Sequence, residues 1–258
     1  MPMGMIIGSR IALTIAVLGL WQLASGRWIP EWTISSPTEV SVRLYDFVAS
    51  GEIWPHLSAT LQSILIGYPL GVVVGVVLGY VLGRYRVLGQ VLGPFIIGIK
   101  GVPTLAFAPL FIVWFGIGLT SKVAIVMFTT FFFCFFNTYA GLRHMDEDFV
   151  SFARLLGAKG STLSFGVILP AISPDIFTGI RSSAPLSVIG ATIGEFVAAR
   201  AGIGVYVRQA ASVLDMAGTF VGVIILVLLV LMLDFITARI EQSALNWMPK
   251  RERGRRAA

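Results

Sequence analysis

The chain has 258 residues, of which 12% are charged and 56% are apolar, and its mean hydropathy is +0.87. Soluble domains contain about 25% charged residues, so this chain has too little polar surface for a globule surrounded by water, and we expect a membrane protein. The single cysteine, Cys134, excludes a disulfide framework within the chain, and His56 and His144 lack metal-ligand spacing. We therefore expect neither a metal nor a cofactor in this chain.

Charge-free stretches locate the predicted membrane spans, because a helix needs about 20 apolar residues to cross the hydrocarbon core. Four stretches lie between consecutive charged residues, and two others are shorter or carry isolated charges. In chain order, the six predicted spans fall within residues 11–24, 52–84, 100–122, 122–143, 176–199 and 215–234. The pattern predicts an all-α polytopic membrane protein with about six transmembrane helices.

The first of these stretches has two interpretations. Arg10 precedes a short apolar region that ends in Leu23-Ala24-Ser25-Gly26, which is also the pattern of a cleaved signal peptide. Either a retained span or a removed leader fits these residues.

The basic residues indicate how the chain is oriented. The net charge of +6 arises at the ends of apolar segments and not in a patch interleaved with aromatic residues, so a nucleic-acid partner is not expected. With a cytoplasmic N-terminus, twelve Lys and Arg residues lie in inner segments and five in outer ones, as the positive-inside rule favours. Both termini, including the basic tail 239–258, are then cytoplasmic, and the connection 26–56 is outside.

The second predicted span has a glycine at every fourth position, which forms one ridge along a helix. The members are Gly67, Gly71, Gly75, Gly79 and Gly83. Small residues at this spacing let a second backbone approach closely in lipid. We expect the ridge to pack against another helix of the same chain, with a dimer contact as the alternative.

The connection 141–175 is too polar for lipid and too patterned for a linker. Three acidic residues at 146–148 begin the segment, and Gly157 favours a stop. The residues that recur between them at helical spacing are Phe149, Phe152, Ala153, Leu155 and Leu156. These features predict a short amphipathic helix. Its acidic start suits an anionic lipid surface poorly, so we expect it to contact a protein in the cytoplasm.

At these residues the sequence resembles the membrane subunits of binding-protein-dependent ABC importers, whose cytoplasmic loop reads EAA-x-x-x-G followed by I-x-L-P. Residues 151–157 read SFARLLG, and Ile168-Leu169-Pro170 follow. The segments PLFIVWFGIGLTSK at 109–122 and GEFVAARAGIGVYV at 194–207 look like parts of the nitrate, sulfonate and taurine branch. The resemblance covers about residues 55–240.

The resemblance implies a single permease domain over residues 1–258 in a bacterial-type inner membrane. Two permease copies, expected to be identical, would form the pathway, and an external binding protein would deliver a nitrate, sulfonate, taurine or small heterocycle. Two separate ATPase subunits would bind ATP and Mg and contact the cytoplasmic loop. The residues that the resemblance assigns to this contact are Asp148, Ser151, Phe152, Ala153, Arg154, Leu156, Gly157 and Ala158.

One departure from the family motif and one absent motif bear on this interpretation. Ser151 occupies the position of the motif glutamate, and Asp148 lies close enough on the helix to supply a carboxylate instead. The chain has no GxxxxGK[ST], and in the segment 157–162 the lysine precedes the second glycine. We therefore expect a non-catalytic subunit, with ATP hydrolysis in a separate one.

Ionisable residues inside a membrane are costly and usually functional. Lys100 stands among Pro94, Gly98, Gly101 and Pro103, which favour a broken helix that exposes backbone to a pathway. Lys100 either lines a cavity or reaches to the inner surface. The pathway candidates are Lys100, Thr104, Trp114, Phe115 and Glu195.

Two of these predictions have alternatives. Trp114 and Phe115 line the path or simply pack, whereas Glu195 is expected to form a structural or gating ion pair. Arg181 is expected to pair with Asp175 or to reach the surface.

The rival function is a secondary transporter driven by an ion gradient, which would require an inverted repeat or paired intramembrane acids.

Overall fold

The computed structural model describes residues 3–248, and within them every regular element is helical apart from one isolated bridge between Ser25 and Ile29. The helices are α1 (Met3–Ala24), α2 (Pro37–Ala49), α3 (Ile53–Arg84), α4 (Arg86–Lys100), α5 (Thr104–Phe115), α6 (Leu119–His144), α7 (Glu147–Leu155), α8 (Gly160–Leu163), α9 (Leu169–Ala198), α10 (Ile203–Ser212) and α11 (Met216–Ala244), with a π-helical turn at Ser164–Ile168. The predicted all-α class is confirmed. The basic residues from 249 onward lie outside the described part.

Four helical segments are long and apolar enough to cross a membrane: α3, α6, α11 and the continuous segment Gly160–Val197, which contains α9. The helices α4 and α5 together form a fifth candidate, bent by 99° at a short break. The apolar part of α1, Gly8–Ala24, is shorter than a full span. The described chain thus has four or five candidate spans, and the predicted count of six is not confirmed.

The predicted span at 100–122 is wrong in its boundaries. The helix there, α5, has only 12 residues and ends at Phe115, before a turn that contains Gly116 and Gly118. Its N-terminal limit follows from Pro103, which lacks a backbone N–H and disfavours a helical conformation at the preceding residue. The apolar helix before this break, α4, begins at Arg86, and α4 and α5 together form either one bent span or a re-entrant pair.

The polar connection is also shorter than predicted. Instead of running over 141–175, it joins α6, which ends at His144, to a helical segment that begins at Gly160. Because residues 160–175 include several polar side chains, the hydropathy pattern did not predict that the helix begins at Gly160. It is held by packing, because Ile168 and Ile172 are buried beside Leu142 of α6.

The glycine ridge packs against α6 of the same chain, as predicted. A Cβ built at Gly71 would lie 2.6 Å from the Met127 carbonyl oxygen, and one at Gly75 would lie 2.7 Å from that of Phe131. These separations are too short for any side chain. The ridge therefore brings the backbones of α3 and α6 together and forms the central helix pair of the bundle.

The amphipathic helix α2 lies at the end of the bundle opposite α7. It begins with a capping box, in which Ser36 accepts from the Glu39 backbone N–H and the Glu39 side chain accepts from the Ser36 N–H. A further hydrogen bond from the Ser35 hydroxyl helps to lower the pKa of the Glu39 carboxyl. The buried residue Phe47 anchors the helix by stacking on Tyr206 of α10.

Candidate coupling surface and membrane pathway

The helix α7 is the amphipathic helix that the sequence predicts. Asp146 caps its first turn by accepting from the Asp148 backbone N–H at 2.9 Å. At the other end, the Ala158 N–H donates to the Ala153 carbonyl at 3.0 Å, and Gly157 adopts φ +93°. Ala153 is buried against Leu142, so this side fixes α7 to the inner helices.

Another side of α7, continued by the next residue, Leu156, is apolar and exposed. The side chains that share this face are Phe149 (48% exposed), Phe152 (61%), Leu155 (86%) and Leu156 (73%). Burying one large apolar side chain contributes about 1.5–3 kcal/mol, and this chain leaves four of them uncovered. Leu155 is the most exposed of the four. It is not among the residues that the family motif assigns to the ATPase contact, and only the helical spacing of the apolar residues placed it on this face.

A polar cavity lies behind α7, on the side away from this apolar face. Its volume is about 270 Å³. Its charged and hydroxyl-bearing lining residues are Arg84, Arg86, Arg143, Glu147, Ser151 and Arg154. We call it the arginine cavity. Arg86 and Glu147 form an ion pair across its rim, which joins α4 to α7.

Lys100 ends α4 at the break before α5. Its ammonium lies 4.4 Å from the centre of the Phe136 ring and 5.5 Å from that of Phe133, both on α6. At 1.5 Å per residue, Phe133 and Phe136 lie about 2 and 7 Å from the midpoint of α6. The exposed ammonium of Lys100 is therefore level with the middle of α6, which is one of the candidate spans.

The aromatic rings do not by themselves compensate that charge. Placing a lysine at the centre of a membrane helix costs about 2.5–3.5 kcal/mol, whereas a cation–π contact returns roughly 0.5–2 kcal/mol. The remaining cost requires water, a counter-charge or a protein partner beside Lys100. The half-buried Thr104 begins α5 on the other side of the same break.

The two aromatic candidates lie elsewhere. Trp114 and Phe115 end α5, about 15 Å along the helix from Thr104. Both are exposed, and both rings contact Phe111 on the preceding turn. The structure thus brings Lys100 and Thr104 to one break and leaves Trp114 and Phe115 at the far end of the helix.

Glu195 is fully buried near the end of α9 that lies away from α7. Its Oε1 accepts from the Thr60 hydroxyl at 2.7 Å, and its Oε2 accepts from the Gly204 backbone N–H at 2.8 Å. Lys122 Nζ lies 3.9 Å from Oε1. The carboxylate therefore binds three separate parts of the chain, on α3, α6 and the start of α10.

The expected pairing of Arg181 with Asp175 is wrong. Arg181 instead donates to Asp234 at 3.2 Å and to Glu241 at 3.5 Å, which ties α9 to α11. Residues six apart point about 120° away from each other around a helix. Asp175 accordingly packs against Gly141 of α6.

Comparison with known proteins identifies the family. Residues 68–246 match the inner membrane component of binding-protein-dependent transport systems. The chain is 37% identical to a riboflavin transport system permease protein of Chloroflexus aurantiacus, over 84% of this chain and 81% of that protein. It is 36% identical to a protein named as an aliphatic sulfonates transport permease of Escherichia coli, over 92% and 90% of the two chains.

A third relative, 29% identical, is a formylaminopyrimidine transport permease protein of Halalkalibacterium halodurans, matched over 92% of this chain and 94% of that protein. These matches extend along most of the chain and agree with the resemblance found in its motifs. The rival function of an ion-driven secondary transporter is therefore not retained. The chain belongs to the family of binding-protein-dependent transport system inner membrane components, and it is a multi-pass permease subunit of an ABC importer.

Proposed function

We propose that two copies of this subunit form a pathway for a small organic solute, and that a separate ATPase dimer binds ATP and Mg and drives transport. In this proposal α7 is the element that receives the ATPase. An external binding protein delivers the solute from the side opposite α7. Both termini and α7 then lie in the cytoplasm, as the distribution of basic residues favours.

The observation that carries the proposal is the uncovered apolar face of α7. Three large apolar side chains of this nine-residue helix, and that of Leu156 directly after it, are exposed to water unless a partner covers them. A few buried anchor residues carry most of the affinity of a protein interface. Ala153 of α7 packs against Leu142 of α6 and against Ile168, which precedes α9. A movement of α7 would therefore move α6 and the start of α9 as well.

The solute class follows from the relatives and from the break between α4 and α5. The related permeases are named for riboflavin, aliphatic sulfonates and formylaminopyrimidine, which are small polar organic compounds. We propose a solute of this class, with Lys100 and Thr104 lining the path at mid-membrane. Glu195 is proposed to hold the far end of the bundle together and not to contact solute, because its carboxylate is fully buried.

The proposal is tested by reconstituting the chain with its ATPase and binding protein in liposomes. We expect a complex with two permease and two ATPase subunits, in which hydrolysis requires the ATPase and uptake requires the binding protein. Phe152→Ser and Leu155→Ser are expected to reduce ATPase copurification and uptake more than tenfold, as loss of an interface anchor of about 2 kcal/mol or more would.

The matched control is Val213→Ser, which replaces an equally exposed apolar residue in the turn between α10 and α11. We expect it to retain the ATPase. Hydrolysis of ATP by the pure chain, or normal assembly of the Phe152 and Leu155 variants, would contradict the proposal.

A further inference from the structure

The arginine cavity carries more positive charge than its own residues neutralise. Four arginines line it, and among the lining residues of the described chain Glu147 is the single carboxylate. Glu147 is already paired with Arg86. Within residues 3–248, Arg84, Arg143 and Arg154 therefore face the cavity without a carboxylate of the chain to balance them.

Ser151 increases this imbalance. It lines the cavity from α7, between Glu147 and Arg154, at the position where the resembling motif has a glutamate. A serine side chain has three fewer heavy atoms than a glutamate side chain and carries no charge. The cavity therefore has both the space and the positive charge that an anionic group requires.

The position of the arginines indicates where the anion comes from. Arg84 is the last residue of α3, and Arg143 lies in the last turn of α6, so both mark the ends of membrane-crossing helices. Helix ends of this kind lie at the level of the lipid headgroups. A planar guanidinium binds two phosphate oxygens at once, which makes a group of arginines a phosphate site.

We propose that the arginine cavity binds a phosphate-bearing anion, either the headgroup of an anionic lipid or free phosphate, and that this anion fixes α7 to α3 and α6. The position at headgroup level favours the lipid. The acidic start of α7 suits an extended anionic lipid surface poorly, but of its three carboxylates only Glu147, which is paired with Arg86, lines the cavity. The inference goes beyond the proposed function, because the anion binds the side of α7 that faces away from the apolar face.

The test measures binding to the purified full-length chain in a neutral detergent, without the ATPase, so it is independent of the proposed function. The probes are short-chain phosphatidylglycerol, phosphatidylcholine of the same chain length, and inorganic phosphate. We expect phosphatidylglycerol to bind more tightly than phosphatidylcholine. Arg84→Gln and Arg143→Gln are each expected to weaken phosphatidylglycerol binding about fivefold, the contribution of one basic residue near an anionic lipid.

The decisive variant is Ser151→Glu, which supplies a carboxylate from the chain itself and is expected to weaken phosphatidylglycerol binding at least as much as the loss of one arginine. Ser151→Gln is its matched control, because it adds the same volume without the charge. Arg239→Gln removes a basic residue near the end of α11, outside the cavity, and is expected to bind phosphatidylglycerol as the unaltered chain does.

The outcomes separate the two sources of the anion. Binding of inorganic phosphate as tight as that of phosphatidylglycerol identifies free phosphate as the ligand, whereas a clear preference for phosphatidylglycerol identifies the lipid. Equal binding of phosphatidylglycerol and phosphatidylcholine with no binding of phosphate would overturn the proposal. Unchanged phosphatidylglycerol binding by Ser151→Glu and by both arginine variants would overturn it as well.

Discussion

The hydroxyl of Thr60 donates to the buried carboxylate of Glu195 at 2.7 Å, and the same hydroxyl accepts from the Ile203 backbone N–H at 2.9 Å. One side chain of α3 thus joins the end of α9 to the start of α10. Thr60 is more than 130 positions away in sequence from each of these two partners. This contact closes the end of the bundle that lies opposite α7.

Thr60→Val is expected to destabilise the detergent-solubilised chain by about 1–3 kcal/mol, because it leaves buried polar groups without a partner. The free energy of unfolding, measured with increasing denaturing detergent, checks this. Thr192→Val is the matched control, since the hydroxyl of Thr192 bonds only to the carbonyl of Val188 in its own helix. Equal losses for the two variants would mean that the Glu195 contact contributes no specific stability.

Gly75→Ala is expected to reduce stability by about 1–3 kcal/mol, because overpacking forces the backbones of α3 and α6 apart. The added methyl group would lie 2.7 Å from the Phe131 carbonyl oxygen. Gly93→Ala on α4 is the control, because a Cβ there has no neighbour of the described chain within 4 Å. Thermal unfolding of both variants in the same detergent provides the comparison, and a destabilisation of Gly93→Ala alone would contradict the packing argument.

Gly157→Val is expected to lower uptake and ATPase copurification while the membrane part keeps its normal yield and thermal stability. The backbone at Gly157 has φ +93°, which costs about 1–2 kcal/mol for a residue with a Cβ. Apart from its two chain neighbours, no residue within 3–248 lies within 4 Å of the added Cβ, so the effect is one of backbone conformation. Gly157→Asn should lower uptake less than Gly157→Val, since asparagine tolerates positive φ better. Equal uptake by the valine variant and the unaltered chain would rule out a role of the C-terminal end of α7 in transport.

Thr33→Cys and Ser161→Cys are expected to react with an impermeant thiol reagent from opposite sides of the membrane. Both positions are exposed, whereas Ser35 is buried and hydrogen-bonded to Glu39 and so would be a poor reporter. The native Cys134 is buried and serves as the unreactive background. Labelling of both new cysteines from one side would contradict the proposed orientation of α7.

Lys100→Cys is expected to react with a hydrophilic thiol reagent when the reconstituted complex turns over, because a charge at mid-membrane needs water beside it. Leu228→Cys, on an exposed apolar face near the middle of α11, is the control and is expected to stay unreactive. Lys100→Met should lower uptake about tenfold, while Lys100→Arg, which keeps the charge, should lower it less. Failure of the cysteine at position 100 to react would place Lys100 against lipid or protein.

The features that depend on a local sequence pattern could be predicted from the sequence alone. The ridge from Gly67 to Gly83 predicted a close helix pair because a four-residue period fixes one face of a helix. The acidic start and glycine stop predicted α7 because capping and backbone conformation are local properties. The family could likewise be identified from short ordered segments.

Features that depend on the spatial arrangement of distant segments were not predictable from the sequence. The prolines and glycines around Lys100 predicted a broken helix, but hydropathy carries no information on helix direction, so the 99° bend between α4 and α5 was not predictable. Nothing local connected Glu195 with Thr60, or Arg181 with Asp234, because these pairs arise only when the helices pack. The arginine cavity was hidden for the same reason, since Arg84 and Arg154 meet only in the folded chain.

Because α9 is one continuous helix of 30 residues, a rotation at one of its ends displaces the other end. Leu169, beside the packed residues that hold α7, and Glu195 are separated by about 39 Å of helix at 1.5 Å per residue. If this rod pivots by about 5° at its α7 end, the far end moves by about 3 Å. That displacement exceeds the tolerance of a hydrogen bond, so a small rotation at the membrane surface is sufficient to pull Glu195 out of reach of Thr60 at the other side of the bilayer.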